Sequence, residues 1–430
     1  MLSFPANPVP ATNCVKELLN QGSALILLGT GGVGKTTIAA ALGIAGAIAQ
    51  LDTVVITVDP AHRLRDALGI ERLSPRPARL EGRRLRAAGL DPSLPLSAMM
   101  LDVKRTWDGL VERFVRNPAA RRTILANSFY RSLTERFAGA EAYAVLEQLY
   151  DLHSGGRFDL EVVDTPPAAH AFEFIQAPAH LVRLLDSPAA RWLFVPYASA
   201  SKSVFGLAGR AVRFVISQLE SYAGVHTLES VSEFFEAAAE ATDAVSRRFR
   251  KTETLLRSPK LHFVLVTTPE EDRLDAARAV INQMQEAGLR LRAIVLNRTL
   301  DERTFEAFLA APRKVPAHLE EIGVLRAALT RENSHDQGLE AVTSYLEDYR
   351  ANQQATVERA ARFARELPAR VRLAVVPEVE VGVRDLRALT KIASMLVSET
   401  AGRRFLENAA AAFAARSSNR PKIAARRAAG

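Results

Sequence analysis

The stretch that decides the fold is Ala24-Leu-Ile-Leu-Leu28, which runs into Gly29-Thr-Gly-Gly-Val-Gly-Lys35-Thr36-Thr37 and then into Ile38-Ala-Ala-Ala-Leu42. Gly-x4-Gly-Lys-Thr between an apolar strand and a helix is typical of a phosphate-binding loop. Its glycines permit a tight turn that points backbone N–H groups at phosphate oxygens, and the helix adds its positive dipole end. A glycine-rich turn with a chance Lys-Thr is the competing interpretation, and the flanking strand and helix argue against it.

Each residue of this loop is a candidate contact for nucleotide phosphates. We expect Lys35 to reach the β- and γ-phosphates and the Thr36 hydroxyl to bind Mg²⁺, so that ATP and Mg²⁺ are the expected cofactors. Lys35 is therefore also a candidate catalytic residue. The nucleotide-binding candidates of the loop are Gly29, Thr30, Gly31, Gly32, Val33, Gly34, Lys35, Thr36 and Thr37.

Further apolar runs recur along the chain, each followed by a polar or Gly/Pro-containing loop. Their near-continuous apolar character predicts strands that are covered on both faces. Helical patterns separate them, at 36–50, 270–287 and 384–397. The alternation predicts an α/β fold, a doubly wound and mostly parallel sheet flanked by helices. The predicted strands are Ala24–Leu28, Thr53–Val58, Leu85–Gly89, Leu160–Val163, His262–Thr267, Ala293–Leu296 and Leu373–Val376.

Two long stretches, Leu96–Leu152 and Ala177–Pro259, have an almost wholly helical pattern. We interpret them as helical insertions, about 96–152 and 177–259, in a single NTPase domain over 21–400. The loop pattern occurs once, which predicts one nucleotide site. Residues 1–20 are expected to be an N-terminal extension. Residues 401–430 are expected to be a basic, disordered tail, with contact to phosphate or anionic lipid as the alternative.

Composition excludes several classes of protein. The single cysteine, Cys14, excludes an intrachain disulfide framework and a zinc site made from cysteines of one chain, and it fits a cytoplasmic location. No apolar stretch is long enough to span a bilayer, which leaves only peripheral contact at the inner face of the membrane. The net charge is +8, but basic residues alternate with acids, as in Glu141–Arg157, which is typical of solvated helix faces and argues against a nucleic-acid partner.

Two acids stand directly after apolar strands, Asp59 after Thr53–Val58 and Asp164 after the run that begins at Leu160. Ligands bind at this edge of open α/β sheets. An acid that closes a strand after a phosphate loop is typical of the carboxylate that holds Mg²⁺, often through water. A turn-capping role is the alternative, and it is stronger for Asp59. His170, taken alone, is more typical of a structural histidine.

Taken together, these segments resemble the ArsA family, which comprises arsenite-pump ATPases and the eukaryotic targeting ATPase for tail-anchored membrane proteins. The resemblance covers about Ala24 to Ala393. Several motifs in the family's order make it specific. They are Gly29–Thr37, Val58-Asp-Pro-Ala-His62 with Asp66, Asp164-Thr-Pro-Pro through His170, Phe263–Pro269, Val295-Leu-Asn-Arg298, and Val376-Pro377 before Val381-Gly-Val-Arg-Asp-Leu386.

The resemblance assigns roles to residues outside the loop. It implies that Asp59 orients or deprotonates the attacking water in a first switch segment that also holds Asp66. It implies that Asp164 begins a second switch segment that reaches His170, and that both strand-end acids hold Mg²⁺ through water.

The resemblance also assigns the base-binding part of the site. It implies that Asn297, with Arg298 and Pro377, holds the adenine, and an amide side chain can bond an amino group and a ring nitrogen together. It implies a dimer as the working assembly.

Departures from the family pattern bear on function. Family members usually carry lysine at the second loop position, where it reaches the partner's nucleotide, and this chain has Thr30. Ala168 and Ala169 replace Thr-Gly, and the paired cysteines that bind zinc or arsenite are absent, which argues against zinc and against an arsenite-pump subunit. The chain is similar to the lysine-less member of a bacterial pair of ArsA-like chains, also over 98–107 and 137–147.

The favoured hypothesis is an ATPase that acts as a nucleotide-driven dimeric switch, as a homodimer or as a heterodimer with an ArsA-like paralogue. Residues 189–224 are the candidate surface for a hydrophobic protein client, and core or dimer interface is the competing interpretation. One alternative is a weakly hydrolysing, regulatory subunit beside a lysine-bearing paralogue. Another is a partition-type, DNA-binding ATPase, against which Thr30 counts.

Overall fold

An eight-stranded sheet forms the centre of the computed structural model, which describes residues 15–58, 63–136, 139–166, 228–299, 352, 355–368, 370–378 and 385–398. The strand order is β3-β4-β2-β5-β1-β6-β7-β8, and every neighbouring pair is parallel except β3 with β4. The predicted α/β class with a mostly parallel sheet is confirmed. The strands are β1 (Ser23–Leu28), β2 (Thr53–Thr57), β3 (Ala78–Arg79), β4 (Leu96–Met100), β5 (Leu160–Asp164), β6 (Leu261–Thr267), β7 (Leu291–Thr299) and β8 (Arg372–Pro377).

Helices cover both faces of the sheet, and short polar residues start several of them. Asp102, Asn117 and Asp385 accept hydrogen bonds from N–H groups of the first turn of α4, α5 and α11. The helices are α1 (Lys35–Ile48), α2 (Arg63–Leu68), α3 (Gly82–Ala87), α4 (Val103–Phe114), α5 (Pro118–Ala126), α6 (Ser128–Arg136), α7 (Ala140–Gly155), α8 (Leu228–Ala238), α9 (Thr242–Leu256), α10 (Glu271–Glu286) and α11 (Leu386–Val397), with 3-10 turns at Val15–Leu18 and Ala239–Ala241 and further helical residues at 355–366.

Side chains of the central strand β1 point alternately to the two faces of the sheet, and each face has its own hydrophobic core. Leu25 and Leu27 pack with residues of α1 and α11, whereas Ile26 and Leu28 belong to the core on the opposite face, with α4, α7 and α9. All six residues of β1 are buried, as expected for a strand covered on both sides. The sheet is therefore a rigid platform whose carboxyl edge carries the loops.

Two sequence predictions about this fold are wrong. Leu85–Gly89 is not a strand, since residues 82–87 form α3, where Leu85 is the one buried residue. The first insertion is not wholly helical, since Leu96–Met100 is β4. Its residues have little β-branching, and pairing with β2 overrides their local preference. The rest of that insertion, α4–α7, is helical, as are α8 and α9 in the described part of the second.

Part of the predicted N-terminal extension, 1–20, packs against the domain. Val15, Leu18 and Leu19 are buried in the core cluster that contains α1. Glu17 forms an ion pair with Arg372 at 2.9 Å. Residues 15–19 are therefore part of the packed domain. The predicted tail, 401–430, lies outside the described residues.

Candidate functional site

The predicted phosphate loop lies at the carboxyl edge of the central strand, between the end of β1 and the start of α1. Gly29 has a φ of 151°, and a Cβ there would lie 2.3 Å from the Val266 carbonyl oxygen. Gly34 has a φ of 95°, and a Cβ there would lie 2.4 Å from Nδ2 of Asn297. Both positions exclude a side chain, which explains why this pattern needs glycine at them.

Lys35 is buried at the first turn of α1, with 7% of the residue exposed. Its Nζ donates hydrogen bonds to the carbonyl oxygens of Gly29, at 2.9 Å, and Thr30, at 3.1 Å. The side chain thus folds back over its own loop. This position holds the ammonium beside the backbone that would surround the phosphates.

Asp164 and Thr36, which are far apart in the sequence, are in contact. The β5 register places Asp164 beside Leu27 of β1 and Thr57 of β2. Asp164 Oδ2 accepts hydrogen bonds from Thr36 Oγ1 at 2.8 Å and from Thr57 Oγ1 at 3.0 Å. The structure therefore brings together two of the predicted magnesium residues. It adds Thr57, which the sequence analysis missed because only the strand order shows that β2 adjoins β5.

Asn297, near the end of β7, contacts the phosphate loop. Its Nδ2 donates to the Val33 carbonyl oxygen at 2.8 Å, and the residue is buried. Arg298 follows in the left-handed region, with a φ of 57°, and is exposed. Irregular pairing at the end of β7 then sets Thr299 beside Pro377. The three residues predicted to hold adenine thus lie on two neighbouring strand ends, and their role stays a prediction.

Of the other predicted site residues, Asp66 is described and lies outside this cluster. Asp66 is exposed on α2, where its carboxylate accepts hydrogen bonds from the adjacent Arg65 at 2.9 and 3.0 Å. Asp59 and His170 lie outside the described residues, as do Ala168, Ala169 and the 189–224 region. Their roles remain predictions.

A buried pair anchors the other end of β5. Glu161 lies three residues before Asp164, and its Oε2 is 2.9 Å from Nδ1 of His153 at the end of α7. Burial raises the pKa of Glu161, although the histidine lowers it in part. This contact joins the helical layer to the strand that presents Asp164.

Comparison with known proteins identifies the class of this site. Residues 23–323 match the family model described as anion-transporting ATPase, ArsA type. The chain belongs to that family. Its membership confirms the resemblance found in the sequence and makes the Gly29–Thr37 loop part of an ATPase fold.

Curated relatives are similar over part of the chain. ATPase ARSA1 of Chlamydomonas reinhardtii is 26% identical over 327 residues, which are 71% of this chain and 39% of that protein. Putative arsenical pump-driving ATPase 2 of Aquifex aeolicus is 23% identical over 67% of this chain and 83% of its own length. ATPase GET3 of Kluyveromyces lactis is 30% identical over 37% of this chain and 46% of its own length. The chain thus spans less than half the length of two of these three relatives.

The described residues were compared with what a membrane-spanning helix and a metal site require. Within the described ranges, none of the helices combines the length and the apolar character that crossing a bilayer requires. Across those same ranges, no three His, Cys, Asp or Glu side chains are grouped so that they could hold a metal ion. Cys14 lies outside them.

Proposed function

We propose that this chain binds Mg·ATP at Gly29–Thr37 and uses hydrolysis to switch how two ArsA-like subunits dock. The observation that carries the proposal is the 2.8 Å hydrogen bond between Thr36 Oγ1 and Asp164 Oδ2. A loop threonine and a strand-end aspartate are the pair that holds Mg²⁺ in P-loop nucleotide sites. The residues present therefore fit the ion: Thr36 would bind it directly and Asp164 through water. Bound there, Mg²⁺ would neutralise phosphate charge.

The loop supplies the phosphate contacts. Lys35 would exchange its carbonyl acceptors, Gly29 and Thr30, for β- and γ-phosphate oxygens, and the backbone N–H groups of the loop would surround the same oxygens. Asp59 follows β2, whose Thr57 touches Asp164, so the chain leaves β2 at the same edge. We assign Asp59 the role of orienting or deprotonating the attacking water and of holding Mg²⁺ through water.

The adenine would bind beside Asn297, Arg298 and Pro377. Support comes from the contact of Asn297 with the phosphate loop at Val33, which fixes the end of β7 next to the nucleotide. The exposed Arg298 follows Asn297 directly, and Thr299 pairs with Pro377 at the end of β8. Asp66 and His170 are assigned to the two switch segments by the family pattern alone.

Thr30 favours a second form of this function, in which the chain is the weakly hydrolysing, regulatory subunit of a heterodimer. Its Oγ1 is buried and has no hydrogen-bond partner among the described residues, so the hydroxyl faces inward. A short, neutral side chain cannot offset charge on a partner's nucleotide. A lysine-bearing paralogue would supply the missing cation to this chain's ATP.

The output of the switch would be a surface for a protein client. We assign this surface to residues 189–224, and the site of action to the cytoplasm with peripheral membrane contact at most. The names of the GET3 and arsenical-pump relatives concern those proteins. The paired thiols of a metalloid site are absent from the sequence, which has one cysteine.

The magnesium assignment is tested by titrating ATP with and without Mg²⁺. Thr36→Ala and Asp164→Asn should lose most of the gain in affinity that Mg²⁺ gives, while binding of metal-free ATP persists. Thr254→Ala, on the exposed surface of α9, is the matched control and should behave as wild type. The same magnesium dependence in Thr36→Ala and in the control would exclude the assignment.

The switch is tested separately by sedimentation velocity, with ADP and with a non-hydrolysable ATP analogue. A nucleotide-dependent change in sedimentation coefficient that Lys35→Ala abolishes is expected. Identical sedimentation in both nucleotides, alone and with a lysine-bearing paralogue, would exclude a dimeric switch.

A further inference from the structure

A cavity of about 420 Å³ lies at the edge of the sheet opposite the phosphate loop. Its floor is formed by buried apolar side chains at the end of α10 and the starts of β7 and β8, among them Met284, Leu291 and Val371. Asn297 lies six positions after Leu291 along β7, which is a distance of about 20 Å at 3.3 Å per residue. The cavity is therefore a second place on the molecule, separate from the nucleotide.

Three arginines, Arg290, Arg292 and Arg370, line this cavity and are exposed. Among the described residues, none of the three has a carboxylate within 4.0 Å of its guanidinium. Neighbouring arginines differ, since Arg278 pairs with Glu366 at 2.8 Å and Arg372 with Glu17 at 2.9 Å. Acids thus neutralise Arg278 and Arg372, whereas the three arginines that line the cavity have no such partner among the described residues.

A buried histidine on β6, His262, lies within the electrostatic influence of two of these arginines. Burial lowers the pKa of His262, and the charges of Arg292 and Arg290 lower it further. His262 is 9% exposed, and its Nδ1 has no hydrogen-bond partner among the described residues. The charges of both arginines thus reach the same buried side chain.

We propose that this cavity binds the phosphate group of a small organic ligand, as an anion site distinct from the nucleotide loop. Guanidinium groups match phosphate oxygens with paired N–H donors, and three of them suit a multiply charged phosphate. The apolar floor accommodates the carbon portion of the ligand, and the volume is that of a small-molecule site. A concave site of this kind favours a metabolite or a single headgroup over a duplex.

The proposal is tested on the full chain with the phosphate loop saturated by Mg·ADP. Inorganic pyrophosphate is titrated calorimetrically into wild type and into Arg290→Gln, Arg292→Gln and Arg370→Gln. Each exposed arginine can be replaced without disturbing the core, and each loss should weaken binding at least about tenfold. Arg86→Gln, an exposed arginine of α3 with the same change of charge, should bind as wild type.

Further arms identify the source of the phosphate. Phosphatidylcholine vesicles with and without phosphatidic acid are tested by flotation, with pyrophosphate as competitor. Arginine-dependent flotation that pyrophosphate reverses assigns the site to a lipid headgroup, and binding of pyrophosphate alone assigns it to a soluble phosphate ester.

Two results would overturn the proposal. One is the absence of pyrophosphate binding, or equal affinity in the cavity variants and in Arg86→Gln. The other is arginine-dependent retention on duplex DNA that pyrophosphate does not compete, which would make the surface a nucleic-acid contact instead.

Discussion

Lys35 in the phosphate loop and Arg248 in the helical bundle are both largely buried cations, and they are held differently. Lys35 donates to backbone carbonyls of Gly29 and Thr30. Arg248 donates from Nε to both carboxylate oxygens of Glu147 at 2.9 Å and also pairs with Asp151. Its guanidinium lies 3.9 Å from the centre of the Tyr150 ring.

The difference indicates what each region does. Carbonyl dipoles can be exchanged for phosphate oxygens at modest cost, so Lys35 is placed for a ligand. Removing an arginine from buried carboxylates costs much free energy, because an unpaired charge in the interior is strongly unfavourable. Glu147 is 2% exposed and also accepts a hydrogen bond from Tyr143. The first region is therefore expected to govern function and the second to govern stability.

The largest effect is expected for Lys35→Ala. The variant should lose about 100-fold in ATP affinity and a similar factor in turnover, about 10⁴ in kcat/KM, because a charged donor to the phosphates is removed. Its free energy of unfolding should change far less than that of an Arg248 variant. Calorimetry and steady-state kinetics provide the measurements, and wild-type affinity in the variant would remove Lys35 from the site.

Arg248→Ala should lower the free energy of unfolding by about 3 kcal/mol, because the buried Glu147 loses its closest charged partner and keeps, among the described residues, only Arg113, at 3.5 Å, and the Tyr143 hydroxyl. Urea denaturation measures this, and nucleotide affinity of the folded variant should be unchanged. Arg247→Ala, an exposed neighbour on α9, should stay within about 0.5 kcal/mol of wild type. Equal effects of the two substitutions would show that the ion pair does not stabilise the bundle.

Thr30→Lys should raise the turnover of the isolated protein by about tenfold. A cation in trans can be worth about 10³–10⁵ in rate, and an added lysine in an unadapted dimer should recover only part of that. Steady-state hydrolysis measures the gain. Adding the lysine-bearing paralogue should increase turnover more. Fast turnover of the wild type alone, which neither Thr30→Lys nor the paralogue changes, would contradict this prediction. It would show that another group already stabilises the charge on the nucleotide.

The smallest expected effect is on how the free energy of unfolding changes at acidic pH. Burial raises the pKa of Asp151, but the hydrogen bond from Arg113 and the charge of Arg248 outweigh it and hold that pKa below its ordinary value of 3.8. The unfolded state therefore binds the proton more readily. The stability that the ion pair of Asp151 with Arg113 contributes is present above pH 3.8. It is lost as the pH falls through the pKa of Asp151 in the folded state.

Arg113→Ala should flatten this loss. Because the pair is partly exposed, the difference should be about 0.5–1 kcal/mol between pH 5 and pH 3. Urea denaturation at several pH values measures it, with Arg122→Ala on α5 as the control. A steeper acid dependence in Arg113→Ala than in wild type would contradict the sign of the argument.

The phosphate-loop motif, the class of the fold, six of the eight strands and the acid that ends β5 could all be predicted from the sequence alone. These features are local: the loop needs glycine where a Cβ would strike Val266 or Asn297, and a strand buried on both faces needs a continuous apolar run. Short-range chemistry of this kind is visible in consecutive residues.

Which distant residues meet depends on the tertiary structure. The strand order sets β5 between β1 and β2, and this order alone brings Asp164 to Thr36 and Thr57. It also makes a strand of Leu96–Met100, whose residues have little preference for one, by pairing it with β2. The arginines of the opposite cavity come from two strand starts in the same way. Pairing and packing energies depend on neighbours that are remote in sequence, and no local pattern contains them.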